Sequence, residues 1–144
     1  MSHPERMETD VQTPTTLFAC FAFDDVDRAI AFLTAIGFEE RLVARDEDDP
    51  TVVHHAQFRW RDRGGIMFGS TGRRTPGEGF QDLGPATAYL VVDRDDEVDD
   101  LYAKALAAGA TSVLVPEDQD YGGRSATVRD AEGNQWSFGS YAGE

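Results

Sequence analysis

The sequence predicts an α+β domain built from two βαβββ modules in tandem. Three observations carry this: a helical face that repeats at a fixed displacement, a glycine that stops each helix at that displacement, and extended segments after each stop. "FACFAFDDVDRAIAFLTAIGF" and "TAYLVVDRDDEVDDLYAKALAAGAT" both read as apolar strand, acidic turn, amphipathic helix and Gly stop. Val26, Ala29, Ile30 and Leu33 share one helical face, and Val98, Leu101, Tyr102 and Ala105 repeat it 72 residues later (26 to 98). Gly37 and Gly109 keep the same displacement and suit the position after a helix, where glycine tolerates positive φ. Acidic residues ahead of each helix suit the positive end of its dipole.

The elements follow in order. In the first strand Leu17, Ala19, Phe21 and Phe23 form a bulky face for the helix, and Phe18, Cys20 and Ala22 form the other. "FEERLVARD", "TVVHHAQFRW" and "GIMFGS" read as three strands after Gly37; "ATSVLVP", "RSATVRD" and "NQWSFGSY" read as three after Gly109. Ala56, Phe58 and Trp60 oppose His55, Gln57 and Arg59, and Thr87 and Tyr89 oppose Leu90 and Val92. Arg124, Ala126 and Val128 share one face, with Ser125 and Thr127 on the other. "DAEGN" at 130–134 is a turn, in which Asp and Asn bond nearby backbone and Gly133 allows positive φ. Trp136 and Phe138 then enter the core, and Gln135 and Ser137 point the other way. The expected boundaries are a mobile lead-in at 1–14 and one domain at 15–144. Within it lie module one (15–69), a linker or lid (70–85, Gly- and Pro-rich) and module two (86–140). The second strand-to-helix connection, around Asp93–Asp96, is expected to be the longer one.

Composition narrows the function. At 144 residues the chain has room for a real core. A net charge of −14 lacks the basic footprint that nucleic acid requires. The acidity suits solubility or a salty cytoplasm, or else attraction of a cationic ligand. One cysteine, Cys20, excludes an internal disulfide. With no apolar run of membrane-spanning length and no apolar signal region in "MSHPERMETDVQTPTT", the cytoplasm is the expected location and no membrane partner is expected. No nucleophile elbow, phosphate loop or dinucleotide fingerprint is present.

Asp25, Phe32 and Gly37, "HAQF" at 55–58, "AAGA" at 107–110 and the closing "YGGRSATVRDAEGNQWSFG" together resemble the vicinal-oxygen-chelate superfamily of glyoxalases, bleomycin-resistance proteins and extradiol dioxygenases. "HAQF" with "YGGR" and "GNQW" is most similar to its PhnB-like branch. The resemblance implies curled sheets lining a ligand cleft, and frequent dimerisation, sometimes with exchange of modules. It also implies a divalent metal held by His and Glu on the first and last strands of each module. Here Phe18, Met67, Thr87 and Ser137 stand at those positions, so no metal and no other cofactor is expected. His54 and His55, adjacent in a strand, point to opposite faces and do not chelate one ion.

The expected ligand-binding residues are Phe18, Cys20, His55, Gln57, Met67, Tyr89, Tyr121, Arg124, Gln135 and Ser137. Tyr121, ahead of a Gly pair, suits closure over a ligand. Arg124 is either a hydrogen-bond hub or a clamp for an anionic or carbonyl group. The expected function is binding of a small, cationic molecule by a homodimer, as in antibiotic sequestration. Its rivals are a metal-independent isomerase or lyase with His55 as general base, an interaction protein with an empty cleft, and a metal-dependent lyase or dioxygenase whose ligands are missing.

Overall fold

The computed structural model describes residues 15, 17–71 and 85–143. The lead-in and most of the expected linker or lid lie outside them. Module one contains β1 (Leu17–Phe23), α1 (Val26–Ile36), β2 (Glu39–Arg45), β3 (Val53–Trp60) and β4 (Gly64–Ser70). Module two contains β5 (Thr87–Val91), α2 (Asp95–Ala107), β6 (Thr111–Asp118), β7 (Arg124–Arg129) and β8 (Gln135–Gly139). The sheets run β1-β4-β3-β2 and β5-β8-β7-β6, so the two halves have the same topology. In each, the first and last strands of the module pair in parallel and the other pairs are antiparallel.

Each helix begins and ends for local reasons. The Asp25 carboxylate accepts the Arg28 N–H at 3.1 Å, and Gly37, at φ 114°, stops α1 while Phe38 N–H returns to the Leu33 carbonyl at 2.9 Å. The buried face of α1 is Val26, Ala29, Phe32, Leu33 and Ile36, with Ile30 only half-buried. α2 begins a turn earlier than the 72-residue displacement implies. Glu97, in its first turn, accepts the N–H groups of Asp93 (2.9 Å) and Arg94 (3.2 Å) and so draws Asp95 and Asp96 into the helix. The connection before α2 remains one residue longer than that before α1. Val98, Leu101 and Ala105 form its buried face, with Tyr102 half-buried.

The helix-facing sides of both sheets meet in one core. Trp136 of β8, 0% exposed, stacks on Phe21 of β1 at 4.6 Å and touches Phe32 and Phe38. Its indole N–H donates to Asp130 at 2.9 Å, so its one polar atom is satisfied. Leu17, expected under the helix, is instead 79% exposed and lines a groove between β1 and β5. The module joint is polar at both ends. The β7–β8 turn sends Glu132 to the N–H groups of Asp24 (2.5 Å) and Asp25 (2.8 Å), and the β3–β4 turn sends Arg61 to Glu97 (3.2 Å). The indole of Trp60 donates to the Val91 carbonyl at 3.1 Å.

Candidate functional site

Strand alternation gives each sheet a second, open face. On sheet one the register aligns Phe18 with Gly65 and Arg59, Cys20 with Met67, Gln57 and Leu42, and His55 with Ala44. On sheet two it aligns Thr87 with Gln135 and Arg129, Tyr89 with Ser137, Thr127 and Leu114, and Val91 with Gly139 and Ser125. Phe18, Cys20, His55, Gln57 and Met67 therefore share one open face, and Tyr89, Gln135 and Ser137 share the other. Because the opposite sides are joined in the core, each open face carries its own hollow. That of sheet one, about 220 Å³, is lined by Thr15, Phe18, Arg41, Gln57 and Arg59. That of sheet two, about 490 Å³, is lined by Tyr89, Val91, Tyr121, Tyr141, Ala142 and Gly143. Among the described residues the two hollows share no lining residue.

On sheet one, the Phe18 ring lies over Gly65, where a Cβ would fall 2.7 Å from the ring. The buried Arg59 guanidinium donates to the carbonyls of Arg61 (3.2 Å) and Asp62 and to the Thr15 hydroxyl (3.1 Å), which fixes it to the backbone. The Gln57 amide nitrogen lies 2.9 Å from Nε2 of His55. An amide nitrogen only donates, so this Nε2 accepts and its lone pair is taken. The Cys20 thiol is exposed.

On sheet two, hydroxyls dominate. Thr127 and Ser137 bond each other at 2.7 Å, and the Gln119 amide donates to Ser125 at 3.0 Å. Tyr89 lies across Gly139, where a Cβ would fall 2.7 Å from ring carbon Cε1 and closer still to the hydroxyl. That hydroxyl donates to the Tyr141 carbonyl at 2.8 Å, and Tyr121 meets Tyr141 edge-on at 5.2 Å. Burial, then the nearby Tyr121, pushes the Tyr89 phenol above its usual range.

Arg124 does not join either open face. Alternation places it with Ala126 and Val128 toward α2, where its guanidinium bonds Asp99 twice at 3.0 Å and Asp118 at 3.1 Å. Those hydrogen bonds, Asp99 first, hold its proton still more firmly than usual. Of its two readings, the geometry gives it the hydrogen-bond hub. Ser125, Thr127 and Tyr141 are additions to the site. The first two follow from the alternation of β7; Tyr141 lies past the last strand, where no period marks it.

The metal implied by the resemblance does not fit the residues present. A phenyl ring, a thioether and two hydroxyls stand at Phe18, Met67, Thr87 and Ser137, and the Ser137 hydroxyl is already bonded to Thr127. Such a set lacks the imidazole and carboxylate donors that hold a divalent ion. Among the described residues no three His, Cys, Asp or Glu side chains group to hold one elsewhere. His54 pairs with Asp46 at 2.9 Å, on the face opposite His55.

Three comparisons place this geometry. The family model described as the Glyoxalase/Bleomycin resistance protein/Dioxygenase superfamily matches residues 18–138. Among solved structures, TioX from Micromonospora sp. ML1 is similar at TM-score 0.65 and 27% identity, over 90% of this chain and 97% of that one. Lactoylglutathione lyase from Agrobacterium tumefaciens (TM-score 0.62, 19% identity, 89% and 95% covered) shares the fold. So does the Bacillus cereus PhnB protein, named a putative 3-demethylubiquinone-9 3-methyltransferase (TM-score 0.61, 14% identity, 87% and 98% covered). Among curated proteins, uncharacterized proteins of Mycobacterium bovis and Mycobacterium tuberculosis are 44% identical over 55 residues, 38% of this chain. The match spans only about a third of those relatives' own length (34% and 31%). No helix among the described residues is long and apolar enough to cross a membrane.

Proposed function

The chain belongs to the glyoxalase, bleomycin resistance protein and dioxygenase superfamily, and from that premise we propose that it holds a small organic molecule, without a metal, in a cleft completed by a second copy of itself. The observation that carries this reading is the donor set at Phe18, Met67, Thr87 and Ser137, which offers nothing to a divalent ion but suits an organic ligand. Apolar walls with a few hydroxyl and amide groups are the usual composition of a small-molecule site. The uncovered open faces support the dimer. Laying sheet two of one copy across sheet one of its partner closes two identical clefts by one twofold axis. Sequestration, as in the bleomycin-resistance branch of the superfamily, is the activity such a cleft supports. Placement in the PhnB-like branch rests on "HAQF", "YGGR" and "GNQW". The lone, exposed thiol of Cys20 fits a reducing cytoplasm.

The rival, a metal-independent isomerase or lyase, is favoured by the half-buried His55 on an open face and opposed by the Gln57 bond at its Nε2. The test combines native mass spectrometry with thiol labelling. A dimer that retains a small molecule is expected, with Cys20 alkylated more slowly at concentrations where the dimer forms. A monomer whose Cys20 reacts at one rate at every concentration sinks the composite cleft, and one metal ion per chain by elemental analysis sinks the metal-free reading. His55→Ala is expected to leave ligand retention within about twofold.

A further inference from the structure

The hollow of sheet two has a lining that packing within the chain does not explain. Tyr121 is 58% and Tyr89 44% exposed, whereas Phe21, Phe23, Phe58, Phe68, Phe138 and Trp136 are all at 1% or below. Exposed rings usually move, yet these are held. Tyr89 lies over Gly139 and is tied by its hydroxyl to the Tyr141 carbonyl. Tyr121 is braced edge-on against Tyr141. The turn that presents it needs both following glycines. Gly122 and Gly123 take φ of 119° and 75°, and a Cβ on Gly123 would fall 2.8 Å from the Ser140 hydroxyl. Rings fixed in advance cost little entropy on binding.

Charge selects among ligands for such a box. Among the described residues of the chain no basic side chain lines it, and Arg124, close by in sequence, is turned to the other face and committed to Asp99 and Asp118. The chain as a whole carries 27 acidic against 13 basic side chains. Tyrosine faces are the negative side of the ring quadrupole and attract cations, and an acidic surface concentrates them.

We propose that Tyr89, Tyr121 and Tyr141 form a box for the alkylated ammonium group of an organic cation. An alkylated nitrogen presents methyl or methylene groups to ring faces and asks for no hydrogen-bond acceptor, which suits a lining in which the Tyr89 hydroxyl already donates to backbone. This inference rests on the small-molecule reading above and names the class of molecule held.

The test uses the purified full chain, with choline and its uncharged isostere 3,3-dimethylbutan-1-ol as probes, followed by calorimetry or protein-observed NMR. Choline is expected to bind at least about tenfold tighter than the isostere, since cation–π attraction of one to two kcal/mol amounts to about that ratio. Tyr121→Leu and Tyr141→Leu are each expected to weaken choline about five- to tenfold with unchanged melting, while Tyr121→Phe, which keeps the ring, stays within about twofold. Equal affinity for the two probes, or choline binding indifferent to both leucine variants, overturns the proposal. If choline fails while uncharged 1-naphthol binds, the cation assignment falls and the small-molecule reading stands. If neither binds, both fall.

Discussion

The starts of the two helices solve one problem with the charges exchanged. At α1 the two amides ahead of the helix, on Asp24 and Asp25, are accepted by Glu132 from the other module, and the residue in the first turn is Arg28, 3.6 Å from that carboxylate. At α2 the equivalent amides, on Asp93 and Arg94, are accepted by the helix's own Glu97, and the cation, Arg61, comes from the other module at 3.2 Å. Each joint therefore holds a carboxylate on two amides and an arginine against the carboxylate. What differs is which module lends which charge. An anion is favoured at a helix N-terminus wherever it originates, so a duplicated chain is free to swap the donors while keeping the electrostatics.

Breaking the core between the joints has the largest expected effect. Trp136→Ala removes the ring that stacks on Phe21 and touches Phe32 and Phe38, and is expected to cost about 3–5 kcal/mol in denaturant unfolding. Next comes the contrast between the joints. Glu132→Ala strips the acceptor from both α1 amides and is expected to cost about 1–2 kcal/mol, the scale of a lost helix cap. Arg61→Ala leaves the Glu97–amide bonds intact and removes exposed ion pairs and the guanidinium over the Trp60 ring, together worth about 1 kcal/mol or less. Equal losses in the two variants would break the comparison. The double exchange Arg28→Glu with Glu132→Arg rebuilds at α1 the arrangement seen at α2, and is expected to recover most of the Glu132→Ala loss.

The smallest effect is in acid. Burial pushes the Glu97 carboxyl up, but the Asp93 N–H, the charge of Arg61 and the Arg94 N–H together hold it below its ordinary value of 4.5. Its folded-state value lies below the unfolded one, so its stabilisation is present above pH 4.5 and is lost as pH falls through the depressed value. Glu97→Gln is expected to flatten that part of the stability–pH curve; an unchanged acid limb would show that Glu97 does not contribute to it.

Local periods made most of this fold legible. Alternation alone separates His55, Gln57 and Ser137 from Phe58, Trp136 and Phe138, and helical spacing finds Val98, Leu101 and Ala105. It also groups Arg124 with Ala126 and Val128, yet Arg124 was expected among the ligand-binding residues; its bonds to Asp99 and Asp118 on the α2 side correct that expectation. What the sequence hides is carried by partners far apart in it. Glu132 reaches amides more than a hundred residues away, and Tyr141 joins Tyr89 through a backbone carbonyl. The early start of α2 turns on Glu97, which reads as one acid among many in "DRDDEVDD". The absence of metal donors at Phe18, Met67, Thr87 and Ser137 needed only the resemblance and a register.

The reach of Glu132 also bears on how the chain is made. Synthesis is vectorial, and α1 emerges from the ribosome long before the β7–β8 turn does. Until that turn arrives, the amides of Asp24 and Asp25 have only water, and Phe21 and Phe32 lack the ring of Trp136. The first module is thus finished by residues translated more than a hundred positions after its own helix start, and a nascent chain stalled before Glu132 carries an open helix start and a bare aromatic surface.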